Sequence, residues 1–163
     1  LLPLVAMAAI GASLAALPAF AQNQGQISRA KSGGSCPGCN LFQADFSGAA
    51  MTGRNFSRAR LRQSDLSLST MNGANFSGAD LRDVEAYGGV FSSASFAGAD
   101  LPNASFVGAY LEGADFSGAR LSGTNFSGAQ LSRARGLSQG QLNGACGDAD
   151  TDLPAGLRIP ACR

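Results

Sequence analysis

The chain has 163 residues, 12 of them basic and 11 acidic, and it contains neither His nor Trp. The near-balance of charge removes any global pull toward nucleic acid or an anionic membrane, and the lack of His removes the commonest acid–base catalyst and neutral metal ligand. Gly is abundant at 22 residues, yet 45% of the chain is hydrophobic, which argues for one folded domain and against disorder.

The first stretch, 1–21, is uncharged and closes on Ala19-Phe20-Ala21. A small-x-small site behind an apolar run reads as a secretory signal peptide whose basic start is missing. An uncleaved anchor is the competing reading, since about 18 apolar residues can span a bilayer. Export is preferred, to the periplasm or outside the cell, with no stable membrane insertion after cleavage. Residues 22–35 are polar and Gly/Ser-containing and are expected to form a flexible linker.

Cys36-Pro37-Gly38-Cys39 follows. Pro-Gly is a type II turn signature that brings its outer residues within reach of a disulfide. A C-x-x-C can also be a redox motif or half a zinc site. The structural reading, a disulfide or buried thiols closing the first coil, is preferred because the redox motif expects a βαβ context.

From Leu41 to Leu131 a five-residue unit repeats without losing phase: small, polar, Leu/Phe/Met, polar, then often Gly, as in Ala114-Asp115-Phe116-Ser117-Gly118. A period of five fits neither helix nor strand. A second period of 20 runs through the large residues. Leu41, Leu61, Leu81, Leu101 and Leu121 form one pure column, and Phe56, Phe76, Phe96 and Phe116 form another, headed by Cys36. Such columns require residues 20 apart to stack, so four units make one square coil. Stacking at the spacing of paired strands predicts a rod roughly 24 Å long. The pattern closely resembles the pentapeptide-repeat family, whose unit runs Ala-Asp/Asn-Leu/Phe-x-x. The resemblance implies an all-β fold, a right-handed quadrilateral parallel β-helix, here of about five coils over 36–135. It also implies a protein that is not an enzyme; the best-known members mimic DNA and act on type II topoisomerases, often as dimers.

Three places break the rule. Arg54 falls at an inward small position, so its stem is expected to turn outward. Val84 and Ala86 reverse the order of small and large, conserving volume. Tyr87 and Val90 flank one corner of the square, with Val107 and Tyr110 at the same corner one coil on. These four form a candidate contact patch for a protein partner or for self-association.

Beyond residue 135 the repeat stops, and 136–163 read as a cap. Ser138 and Gln141 make a capping-box signal for a short helix over about 139–145. Cys146 and Cys162 are expected to pair by a disulfide. One zinc held by all four cysteines is excluded, because the two pairs lie at opposite ends of the rod. Asp148-x-Asp150-x-Asp152 lacks the Gly and Glu of a calcium loop, having Leu153 and Ile159 there instead, and reads as a solvated acidic loop. No cofactor, metal or nucleic-acid partner is expected. The favoured function is an exported, non-catalytic scaffold. Two alternatives are a DNA-mimicking topoisomerase regulator, disfavoured by export and by a surface of alternating sign, and a thiol–disulfide protein using Cys36 and Cys39.

Overall fold

The computed structural model describes residues 21–163; the apolar stretch expected to be a signal peptide, apart from Ala21, lies outside the described residues. The repeat winds into a parallel β-helix in which residue i pairs with residue i+20. One ladder runs Asn40–Arg60–Asp80–Asp100–Arg120, a second Asp45–Asp65–Glu85–Ser105–Asn125, a third Ala50–Thr70–Val90–Tyr110–Gln130 and a fourth Asn55–Asn75–Ser95–Asp115–Arg135.

The five-residue unit follows from where its N–H groups go. In the unit around Phe46, the Phe46 N–H donates to the Asp65 carbonyl on the next coil and the Gly48 N–H to the Ser67 carbonyl. The Ala49 N–H closes a tight turn back onto the Phe46 carbonyl. The remaining turn N–H, that of Ser47, donates to the Asp45 carboxylate at 2.9 Å. The same bond recurs from Ser57 to Asn55, Ser67 to Asp65, Ser77 to Asn75, Ser117 to Asp115 and Ser127 to Asn125. Asp or Asn before each large residue is thus a backbone cap for the turn. The Asp115 carboxyl is held below its ordinary range by the Ser117 hydroxyl and N–H.

The interior is filled by one large and one small side chain per unit. Phe56, Phe76, Phe96 and Phe116 stack face to face, with centroids 5.5, 5.2 and 5.1 Å apart. Phe91 and Phe106 meet Phe96 edge-on at 6.0 and 5.6 Å. The reversed pair is accommodated locally: Val84 and Ala86 are both fully buried. The Phe91 ring lies where a side chain on Gly89 would stand, 2.5 Å from the position of its Cβ. Gly89 is required there by close approach. Arg54 does not enter the core; it is exposed, and its guanidinium reaches toward Gly33.

Residues 22–35 are not a flexible linker. They carry helix α1, Gln24–Lys31, with Asn23 as N-cap and Arg29 and Lys31 in the last turn. Both features favour a helix, the cations by facing the negative end of its dipole. Ile27 and Ala30, three apart on one face, are buried against the first coil. The segment is tied down by Gln22 donating to the Gln43 carbonyl and by Gln26 accepting from the Asn40 N–H. It closes the N-terminal end of the tube.

At the other end, α2 spans Gln139–Leu142 behind a reciprocal Ser138–Gln141 capping box, and Leu142 is buried. The winding does not stop at residue 135. Asn125 pairs with Cys146 and Gln130 with Asp152, so the register lengthens to 21 and then 22 residues as part of a further coil is added. Asp148 is a cap rather than free surface. Its carboxylate accepts from the N–H groups of Gly128 and Asp150 and from the Thr151 hydroxyl. The Gly128 N–H, foremost, holds its pKa below the ordinary 3.8.

Cys36 and Cys39 face each other at disulfide distance with Cα atoms 5.4 Å apart, as do Cys146 and Cys162 at 4.8 Å. The first pair is buried and the second partly exposed.

Phe96→Ala removes a ring that touches four others and is expected to lower stability by about 3–5 kcal/mol in urea unfolding. Mild reductant should open Cys146–Cys162 before Cys36–Cys39, releasing about 3 kcal/mol of restraint on the tail. Acid should act on the same segment. Because the Asp148 pKa is depressed on folding, its contribution is present above 3.8 and lost as pH falls through the lower folded value. Hydrogen exchange should therefore show residues 146–162 loosening ahead of the rod in both cases.

Candidate functional site

The turns place their third residue at positive φ, which suits Gly and strains most other residues. Leu68 stands at such a position with φ 57°. It is also 63% exposed, so its backbone and its side chain are both in unfavourable states. The Asp83 and Asn103 side chains, at other strained turns, bond each other across coils; Leu68 has no polar atom with which to do so.

Among the described residues the exposed large hydrophobics are Leu68, Tyr87 (57%) and Tyr110 (44%). All three belong to one corner on successive coils. The turn bonds fix the register: the Leu68 N–H donates to the Tyr87 carbonyl, and the Gly88 N–H to the Val107 carbonyl. Val90 pairs with Tyr110 on the adjoining side. The tip of Leu68 lies over Gly88, 3.0 Å from where a Cβ would stand. Gly88, having no Cβ, thus leaves room for the tip of Leu68. The structure therefore places Tyr87, Val90, Val107 and Tyr110 around a single corner and adds Leu68 to them. Leu68 escaped the sequence reading because, at a turn position, its chain neighbours are polar. Its signal was a large apolar residue in a column otherwise made of Gly48, Gly88, Gly108 and Gly128.

The flanks of this corner are acidic. On one side Asp45, Asp65 and Glu85 are paired directly across coils; like charges so placed repel. On the other side stands Glu112. The cations of the preceding corner are engaged: Arg62 with Asp83 at 3.4 Å and Arg82 with Asp80 at 2.6 Å. Arg120 pairs with Asp100 on the Leu-column side. Among the described residues no ion pair reaches Asp65, Glu85 or Glu112. Lys31 bears on Asp45, although the Ser47 hydroxyl is the main cause of that group's lowered pKa.

The rest of the surface offers little for chemistry. An open hollow of about 490 Å³ lies between α2 and the tail, lined by Gln139, Asn143, Gly156, Arg158, Ile159 and Pro160. Gln139 and the Arg158 backbone bond each other across it. Among the described residues no group of His, Cys, Asp or Glu is arranged to hold a metal ion, and no helix is long and apolar enough to cross a membrane.

The sequence model described as "Pentapeptide repeats" matches in eight copies over residues 55–85, 90–128 and 109–146, more than half of the chain. Among solved structures, the chain is similar to a pentapeptide repeat protein (Rfr23) from the cyanobacterium Cyanothece 51142. Identity is 23%, over 80% of this chain and 98% of that one, with a TM-score of 0.40. It is also similar to HetL, a pentapeptide repeat protein involved in heterocyst differentiation regulation from the cyanobacterium Nostoc sp. strain PCC 7120. There the identity is 23%, over 79% and 65% of the two chains, with a TM-score of 0.37. A third similarity is to QnrB1, a plasmid-mediated fluoroquinolone resistance protein, at 24% identity over 64% of each chain with a TM-score of 0.29. No curated protein sequence matches the chain.

Leu68→Gly removes the strain at φ 57° and exposes no core. It is expected to raise stability by about 1 kcal/mol, read as a higher midpoint in chemical unfolding. A fall in stability would show that Leu68 is held there by packing.

Proposed function

We propose, because the chain belongs to the pentapeptide-repeat family and folds as a right-handed β-helix, that it is an exported, non-catalytic rod of about five coils that works by binding another protein at its Leu68–Tyr87–Tyr110 corner. The observation that carries this reading is the confinement of all the large exposed hydrophobics among the described residues to that one corner. Contiguous apolar surface on an otherwise polar protein marks an interaction site. Aromatic side chains suit such a site, since Tyr offers large contact area at low entropy cost. The interior is occupied by stacked rings and leaves no recess for a substrate.

The thiol-exchange alternative is weakened by burial of Cys36 and Cys39, since exchange needs an accessible sulfur. Mimicry of DNA calls for a long negative surface, and the acidic ladder here gives way to Ser105 and Asn125 after three carboxylates. Export rests on the apolar stretch and its Ala19-Phe20-Ala21 site. Two pairs of cysteines at disulfide distance are compatible with an oxidising compartment.

The test is fractionation of the native cells with a photo-cross-linking residue at position 87 or, as control, at position 57 on another corner. The mature chain is expected outside the cytoplasm, beginning at Gln22, and to capture a protein from position 87 only. A cytoplasmic chain that retains residues 1–21 would overturn export. Equal capture, or none, from the two positions would overturn the assignment of the corner.

A further inference from the structure

We infer that the partner held at this corner presents a basic amphipathic segment, with Lys or Arg alongside an apolar stripe; this rests on the proposal that the corner is the binding site. The fold places two unfavourable features side by side. One is the apolar corner, where Leu68 is both exposed and at positive φ. The other is the Asp45–Asp65–Glu85 ladder on the adjoining side, where like charges are paired across coils. Elsewhere on the rod such clashes are relieved: Asp80 and Asp100 also pair directly, but Arg82 and Arg120 neutralise them. Beside the corner the relief is missing. Asp45 has Lys31 nearby, whereas Asp65 and Glu85 take part in no ion pair among the described residues. Glu112 extends the negative rim beyond Tyr110, with Arg133 following one coil later at that corner.

A single ligand relieves both defects if it brings cations to the ladder and apolar groups to Leu68, Tyr87 and Tyr110. Charge complementarity of this kind selects a basic partner and rejects an acidic one. The geometry fits a helix lying along the rod. Coils repeat at about 4.8 Å, and an α-helix repeats at about 5.4 Å per turn. Two helical turns therefore span the three coils from Leu68 to Tyr110 with a mismatch of about 1 Å. Residues at i and i+4 on one edge of the helix meet successive carboxylates, and the neighbouring stripe meets the corner.

The experiment titrates the chain, purified with both cysteine pairs oxidised, against three labelled 18-residue helical peptides, read by fluorescence anisotropy. One has a Leu stripe edged by Lys; in the second Glu replaces Lys; in the third Ser replaces Leu. The Lys–Leu peptide is expected to bind at least tenfold tighter than either control. Leu68→Gly should weaken it about tenfold while leaving the thermal midpoint unchanged or higher, so that lost binding is not lost folding. Asp65→Asn combined with Glu85→Gln should weaken it comparably and flatten its salt dependence. Equal binding of the Glu peptide, or indifference to these variants, would overturn the inference. So would failure of all three peptides together with a dimer, seen by sedimentation, that Leu68→Gly dissolves; the occupant would then be a second copy of this chain. The two proposals fail separately. An acidic segment captured from position 87 would sink the basic-partner inference and leave the binding corner standing, whereas no capture would remove both.

Discussion

The structure depends on one constraint: each coil must hydrogen-bond to the next, over a step of 20 residues throughout the repeat. Coil-to-coil bonds hold the centre and third-turn N–H groups, as at Phe46 and Gly48, and a side-chain oxygen holds the turn N–H that the coils leave over. An interior backbone N–H left unpaired would be costly. The five-residue unit is therefore a hydrogen-bonding solution before it is a packing pattern. The packing follows from it, since residues in register by 20 stack directly, and a narrow square tube holds one large and one small side chain per side.

A fold built in this way has little freedom inside and much outside. An outward residue is limited mainly by its coil neighbours, so a surface can be written onto the rod one column at a time. The Leu-column side carries compensated charges, with Asp80, Arg82, Asp100 and Arg120 paired within or between coils. Exposed pairs of that kind contribute little stability. The Leu68 corner is the reverse case. It combines backbone strain, exposed aromatic surface and a ladder of like charges, each of which a purely structural surface would lose. Other turns share the positive φ, at Gln43, Arg58, Gln63, Asp83, Ser93 and Asn103, but their side chains are polar; only Leu68 adds an exposed apolar side chain to the strain, and that combination points toward use.

The core break and the surface break occur on the same coil. Val84 and Ala86 are both fully buried, and Gly89 admits the Phe91 ring. Immediately outside, Gly88 leaves room for the tip of Leu68. Residues 84–90 therefore adjust the inside and the outside of the tube together. The ends follow a different logic. The tube cannot close itself, so α1 supplies Ile27 and Ala30 at one end, and the tail with α2 covers the other.

The β-helix and its register were legible in the sequence because a strict repeat forces every coil to solve the same problem. Leu41 through Leu121 and Phe56 through Phe116 recorded the 20-residue step directly. The turn-capping role of Asp115 and its counterparts was not legible, since a polar residue in an outward position looks like solvated surface until its partner N–H is located. Residues 22–35 misled for a related reason. An eight-residue helix with two inward residues has too little periodicity to register, and it is ordered by the end of the tube rather than by its own propensity. The further half-coil through Cys146 and Asp152 was hidden by a register that drifts to 21 and 22 residues. By itself the sequence determined the coil and the identity of its core columns, because those are local choices repeated many times. Only the tertiary structure decided what lies beside what across coils: that Leu68 joins Tyr87 and Tyr110 at one corner, and that uncompensated carboxylates stand along its edge, because neighbours on a solenoid surface are set by stacking and not by order along the chain.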